Sequence, residues 1–197
     1  MYFEEIQILI TEAWQLSKLH FVNTEKRIFI PYLFSAALIA YFIFKKNQSK
    51  KSFISYLFDK RIWASKSAFI DYSLFLLNNF IKVSLIAPYL IFGLYIAFYI
   101  NENLALLFGI NNSSISLTQT IIFYTISLTI FNDLLSYIVH YLMHKIPVLW
   151  EFHKVHHSAE TLNPITQYRV HPFELILNNA KSIIGFGVVT GIFDYLS

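Results

Sequence analysis

Between residues 28 and 44 the chain runs seventeen positions without a charge and stops at Lys45 and Lys46, which predicts a membrane-crossing helix at the short end of the usual length. Pro31 lies in its first turn, where a missing N–H costs little. The preceding residues 1–27 mix Glu4, Glu5, Glu12, Lys18, Glu25, Lys26 and Arg27 with Phe3, Ile6, Ile10, Ala13 and Trp14. That spacing sets the apolar groups on one helical side and predicts an interfacial helix rather than a removable signal peptide. Residues 69–100 are apolar but broken by Asp71, Asn78, Asn79 and Lys82. They predict an amphipathic approach helix followed by a second span over about 81–100, bent at Pro88. A third span is expected over 117–139, and the apolar stretch from Ile183 to the last residue reads as a partial fourth. The expected fold class is therefore all-α: a membrane bundle of about three complete spans plus a partial fourth. Its organisation is an N-terminal segment (1–27), a spanning region (28–139) and a histidine-rich region.

Composition supports a membrane protein. Of the 197 residues 56% are hydrophobic and only 14% are charged, against about a quarter charged in a soluble domain. The absence of cysteine excludes disulfide scaffolds, thiolate metal sites and cysteine nucleophiles. A net charge of +3 gives no support to nucleic-acid binding. The cations are grouped instead: Lys45, Lys46, Lys50, Lys51, Lys60, Arg61 and Lys66 are opposed only by Asp59 in that stretch. By the positive-inside rule this loop is cytoplasmic, residues 101–116 lie on the other side, and everything from His140 to Pro172 returns to the cytoplasmic face.

Six of the seven histidines fall between 140 and 171, where even scattering would place about one. They read as HYLMH (His140, His144), FHKVHH (His153, His156, His157) and VHPFE (His171). On helices the first pair is i, i+4 and the next three are i, i+3, i+4, so each set projects imidazoles from one face. Asp133, Tyr137, His140 and His144 also share a face, and an ionisable residue inside a span is a functional candidate because lipid disfavours it. Asp133 is expected to accept a hydrogen bond from a ligand imidazole, with Tyr137 a packing or supporting group. His171 reads either as a ligand or as a helix start before Pro172. His20 is expected at the surface or interface, and Trp150 facing lipid or at the interface.

HYLMH lacks the glutamate of a zinc-protease helix, and carboxylates are too few for the ferritin-like pattern. More imidazoles than one four-coordinate ion can use imply two metals, and imidazole suits iron, zinc and copper, of which iron is the preferred reading. Haem ligation would need histidines on two facing spans, whereas all six lie beyond the third.

The stretch from Asp133 to Glu174, with the pattern D-x3-Y-x2-H-x3-H, then W-x2-H-x2-HH-S, then R-x-HP-x-E, resembles the fatty acid hydroxylase/sterol desaturase superfamily, particularly its bacterial members. The resemblance implies a histidine-liganded di-iron centre on a cytosolic cap over a helical membrane bundle. It implies O2 as co-substrate, a lipid substrate of fatty acid or sterol type, and electrons from a ferredoxin- or cytochrome b5-type donor with its reductase. Carried over by position, His140, His144, His153, His156 and His157 are implied ligands. A bacterial inner membrane is favoured over the endoplasmic reticulum. The family-like region spans 133–197 and is read as truncated before a last histidine box, because no histidine follows His171. The alternative expectation is a non-catalytic or merely metal-binding membrane protein retaining the first half of the fold.

Overall fold

The computed structural model describes residues 2–47, 52–111 and 115–197. Among them all regular structure is helical: α1 (Tyr2–Val22), α2 (Ile30–Lys46), α3 (Phe53–Leu57), α4 (Lys60–Trp63), α5 (Lys66–Ile81), α6 (Phe92–Phe108), α7 (Leu117–Lys145), α8 (Pro147–His157) and α9 (Pro172–Leu196). The chain divides into two compact units, residues 1–84 with 154–171 and residues 85–153 with 172–197.

In the first unit α1 packs on α5. The side of α1 turned inward is small and polar, with Ala13, Ser17 and His20 buried, while Ile6, Ile10 and Trp14 stay exposed. Ser17 Oγ accepts from Asn79 Nδ2 of α5 at 3.0 Å. His20 departs from the surface position expected for it: it is 2% exposed, its ring edge-on to Phe75 and Tyr168 at 5.1 and 5.0 Å. Its Nδ1 lies 2.8 Å from the Leu16 carbonyl, which satisfies one ring nitrogen inside the helix. Burial pushes the imidazole below the usual histidine pKa, against the pull of that carbonyl, and Lys82 and Lys26 lower it further. Beneath it Ile28, Phe75 and Ile165 form the apolar core, with Phe21, Leu33, Tyr72 and Tyr168 packed around them.

One stripe of α5 does most to organise this unit. Ser67, Asp71, Phe75 and Asn78, spaced by four, four and three residues, are all buried. They hold the segment after α8: Asp71 pairs with Arg169, and Asn78 Nδ2 donates to the Val170 carbonyl at 2.8 Å. The polar positions that interrupt the apolar run are thus anchors for a distant loop. In the lysine-rich stretch, Asp59 caps α4 through Arg61 N at 3.0 Å, and Lys50 and Lys51 lie outside the described residues.

The second unit joins α6, α7 and α9. Gly187 and Gly191 of α9 let the backbones meet: a Cβ on Gly187 would stand 2.7 Å from the Gly93 carbonyl, and one on Gly191 2.5 Å from the Ala97 carbonyl. Neither obstacle is a flexible side-chain end, so α6 and α9 must separate to admit a methyl group. Gly191→Ala is therefore expected to destabilise by about 1–3 kcal/mol, read as a lower thermal midpoint in detergent; an unchanged midpoint would contradict this packing. Along α7, by contrast, only Met143 is buried, leaving an apolar surface suited to lipid. A capping box starts that helix, Ser116 and Gln119 each bonding the other's backbone N–H.

Among the described residues three helices are long and apolar enough to cross a membrane: the helical run Lys66–Phe108, α7 and α9. The stretch expected as the first span forms α2, a 17-residue helix that rises about 25 Å, at the short end of the range for a span. The expected partial fourth span is instead part of a full 25-residue helix, because residues 172–182 before the apolar run continue it, with Lys181 Nζ reaching Ser136 Oγ on α7. The second span also outruns its expected end at 100. Asn101, Glu102 and Asn103 stay helical to Phe108, where Gly109 takes φ 82, a left-handed value that suits a residue without Cβ at a helix end. Around Pro88 the helix passes through a π-turn (Lys82–Ile86) and a 3-10 turn (Ala87–Tyr89), the local adjustment that a missing N–H calls for.

Candidate metal centre

His140 and His144 lie one turn apart on the last two turns of α7. Ile146 breaks the helix with an extended backbone, and α8 begins at once with Pro147, whose absent N–H is harmless in a first turn. This tight reversal brings His153 back onto the same pair. Its ring stands edge-on to both, with centroids 4.7 Å from His140 and 4.8 Å from His144. The potential ligand atoms of the three all lie within 4.8 Å of one another.

The donor atoms fit a metal ion. His140 Nε2 and His144 Nε2 are 3.2 Å apart. Two nitrogens bound tetrahedrally at about 2.0–2.1 Å to one ion stand roughly 3.3 Å apart, so the pair already has the spacing of shared ligation. His153 is 1% exposed, and its Nδ1 lies 3.1 Å from Glu174 Oε2. A carboxylate there favours the proton on Nδ1, which orients the ring and makes Nε2 the metal-facing atom. Glu174 is itself buried in the first turn of α9, where the helix N-terminus favours negative charge. Phe152 and Phe173 pack at 4.6 Å beside this carboxylate and fix the approach of α8 to α9. Trp150, expected to face lipid or the membrane interface, lies 5.3 Å from the His144 ring and 6.2 Å from that of His153, so it walls the cluster.

Of the six clustered histidines the structure thus gathers three in the second unit. His156 and His157, at the end of α8, and His171, just before α9, belong to the first unit. There His156 Nδ1 lies 3.3 Å from the Arg169 carbonyl, and its ring is 5.2 Å from that of His157. Asp133 is exposed on α7, close enough to Lys181 for their charges to attract. Tyr137, also exposed, stacks on Tyr141 at 6.2 Å. The carboxylate that the structure sets against an imidazole is Glu174. Sequence reasoning recorded it only as the end of an HPxE pattern; its place in the first turn of a helix opened by Pro172 was the signal that could have marked it.

Residues 125–196 match the family model described as fatty acid hydroxylase. No curated protein and no solved structure matches the chain. The match begins within α7 and contains all six clustered histidines and Glu174. Residues 125–196 accordingly form a fatty acid hydroxylase domain, of the fatty acid hydroxylase/sterol desaturase superfamily, in a helical membrane protein.

Proposed function

We propose that this chain is a membrane-bound non-haem di-iron oxygenase that hydroxylates or desaturates a C–H bond of a fatty acid- or sterol-type lipid, using O2 and electrons from an external ferredoxin- or cytochrome b5-type donor. The observation that carries this reading is the convergence of His140, His144 and His153, with Glu174 behind the buried His153, at the end of an apolar helix inside a fatty acid hydroxylase domain. His156, His157 and His171 complete the proposed ligand set, and Asp133 and Tyr137 support the α7 histidines from the turns below. Bound iron supplies the one-electron chemistry that lets O2 attack an unactivated C–H bond. The chain's own residues hold and orient: Glu174 keeps the His153 proton on Nδ1, while Phe152, Phe173 and Trp150 limit access of water to the ring. We place the histidines and the lysine-rich stretch on the cytoplasmic face, of a bacterial inner membrane rather than the endoplasmic reticulum, where an acidic electron donor would find complementary charge.

The test is isotopic. Membranes containing the protein, supplied with a ferredoxin or cytochrome b5 system, reductant and 18O2, should yield a lipid that carries 18O, or one that has lost two hydrogens. Membranes containing His153→Ala should yield neither. Unchanged lipids in both, with iron bound, would favour a second reading, metal binding without oxidation. One observation speaks for that reading: the cluster within the second unit offers three imidazoles, enough for one ion.

A further inference from the structure

Arg169 is 1% exposed and fully engaged. Its Nε donates to Asp71 Oδ1 at 2.5 Å, its Nη2 to the Ser67 carbonyl and hydroxyl at 2.5 and 2.7 Å, and its Nη1 to Ser158 Oγ at 3.3 Å. Asp71, completely buried, spends its other oxygen on Thr166 Oγ1 at 2.7 Å and Asn163 Nδ2 at 3.1 Å. The backbone at 169 is tied as well, Arg169 N donating to the Thr166 carbonyl at 2.9 Å. A residue held from both ends offers its carbonyl in a fixed direction, and the group facing it is His156 Nδ1, 3.3 Å away. A carbonyl can only accept, so the contact requires a proton on Nδ1 and, in the neutral ring, leaves the lone pair on Nε2.

We propose that Asp71 is a positioning residue for His156: by clamping Arg169 it fixes the carbonyl that keeps His156 in the Nδ1–H tautomer and makes Nε2 its metal-binding atom. The consequence for iron rests on the reading of His156 as a ligand; the tautomer itself does not. α5 thus positions a histidine of its own unit although it carries no candidate ligand itself. The signal for such a role is a carboxylate at a buried position of an otherwise apolar helix, whose cost must be met by a specific partner.

The test reads the ring directly. The chelator-treated 197-residue chain with 15N-labelled histidine, in detergent, is examined by long-range 1H–15N NMR, the His156 signals being assigned by their loss in His156→Gln. Wild-type His156 should be in the Nδ1–H form. Asp71→Asn and Arg169→Lys should each shift the tautomer ratio towards Nε2–H by about tenfold and weaken Fe(II) binding by roughly 10- to 100-fold. His20 serves as an internal control, since its Nδ1 bonds to Leu16 within the same unit; unchanged His20 signals report an intact fold. Should either variant lose them, Ser67→Ala removes one hydroxyl acceptor, keeps the ion pair and carries the same expectation in smaller degree. An Nε2–H form in the wild type, or an unmoved His156 ratio with His20 intact, overturns the proposal. Iron binding that is unaffected by His156→Gln would overturn the ligand reading separately and leave the tautomer result standing.

Discussion

Exchange of His153 for alanine is expected to abolish high-affinity Fe(II) binding, while His140→Ala or His144→Ala should weaken it less. His153 is the buried member of the cluster, and its ring stands edge-on to both others. Its loss removes one nitrogen from the three and deprives Glu174 of the imidazole beside it, a buried carboxylate for which desolvation costs about 1–3 kcal/mol or more. His140 and His144 are exposed, so water can take the place of a lost ring. Glu174→Gln separates ligation from support: it keeps the shape and removes the charge that favours Nδ1 protonation, and it should weaken iron binding by about 10- to 100-fold without abolishing it. Anaerobic titration calorimetry measures all four variants. Wild-type affinity in His153→Ala, or a Glu174→Gln indistinguishable from wild type, would remove these residues from the centre.

Arg169→Ala is expected to be the most destabilising single replacement in the first unit, by about 3–5 kcal/mol, because it leaves the Asp71 carboxylate buried without its cation. Thr166 and Asn163 still donate to Asp71 but carry no charge. The cost therefore lies in a stranded ion more than in a lost attraction. It follows that the double variant Asp71→Leu/Arg169→Met should be less destabilised than Arg169→Ala alone, since it leaves no buried charge without a partner. Denaturant unfolding in mild detergent compares them; a double variant worse than Arg169→Ala would show that the pair contributes more than it costs to bury.

These two sites differ in how far the sequence exposed them. The HxxxH and HxxHH spacings are local, and helical geometry alone sets each group on one face, so His140, His144 and His153 were legible as candidates. What brings His153 onto the α7 pair is the reversal at Ile146 and Pro147, and periodicity carries no information about a turn's direction. Glu174 stood in view as part of a motif but without a partner, because its imidazole lies 21 residues upstream on another helix. Asp71 was visible as a polar break in an apolar run, yet its partner comes 98 residues later and no local rule connects them. For a related reason His20, which reads as a surface or interfacial residue, turns out buried: only the rings of Phe75 and Tyr168 show where it goes. Among the spans, the last reads as partial because its apolar run starts only at Ile183, whereas residues 172–182 continue the same helix and Lys181 finds a hydroxyl partner on α7.

The central claim is that the histidine cluster holds iron. Metal analysis by inductively coupled plasma mass spectrometry on the detergent-purified chain, beside His153→Ala prepared identically, tests it most directly. The account predicts iron as the predominant metal in the wild type and its loss from the variant. Zinc alone, no metal in the wild type, or the same iron content in both would contradict it.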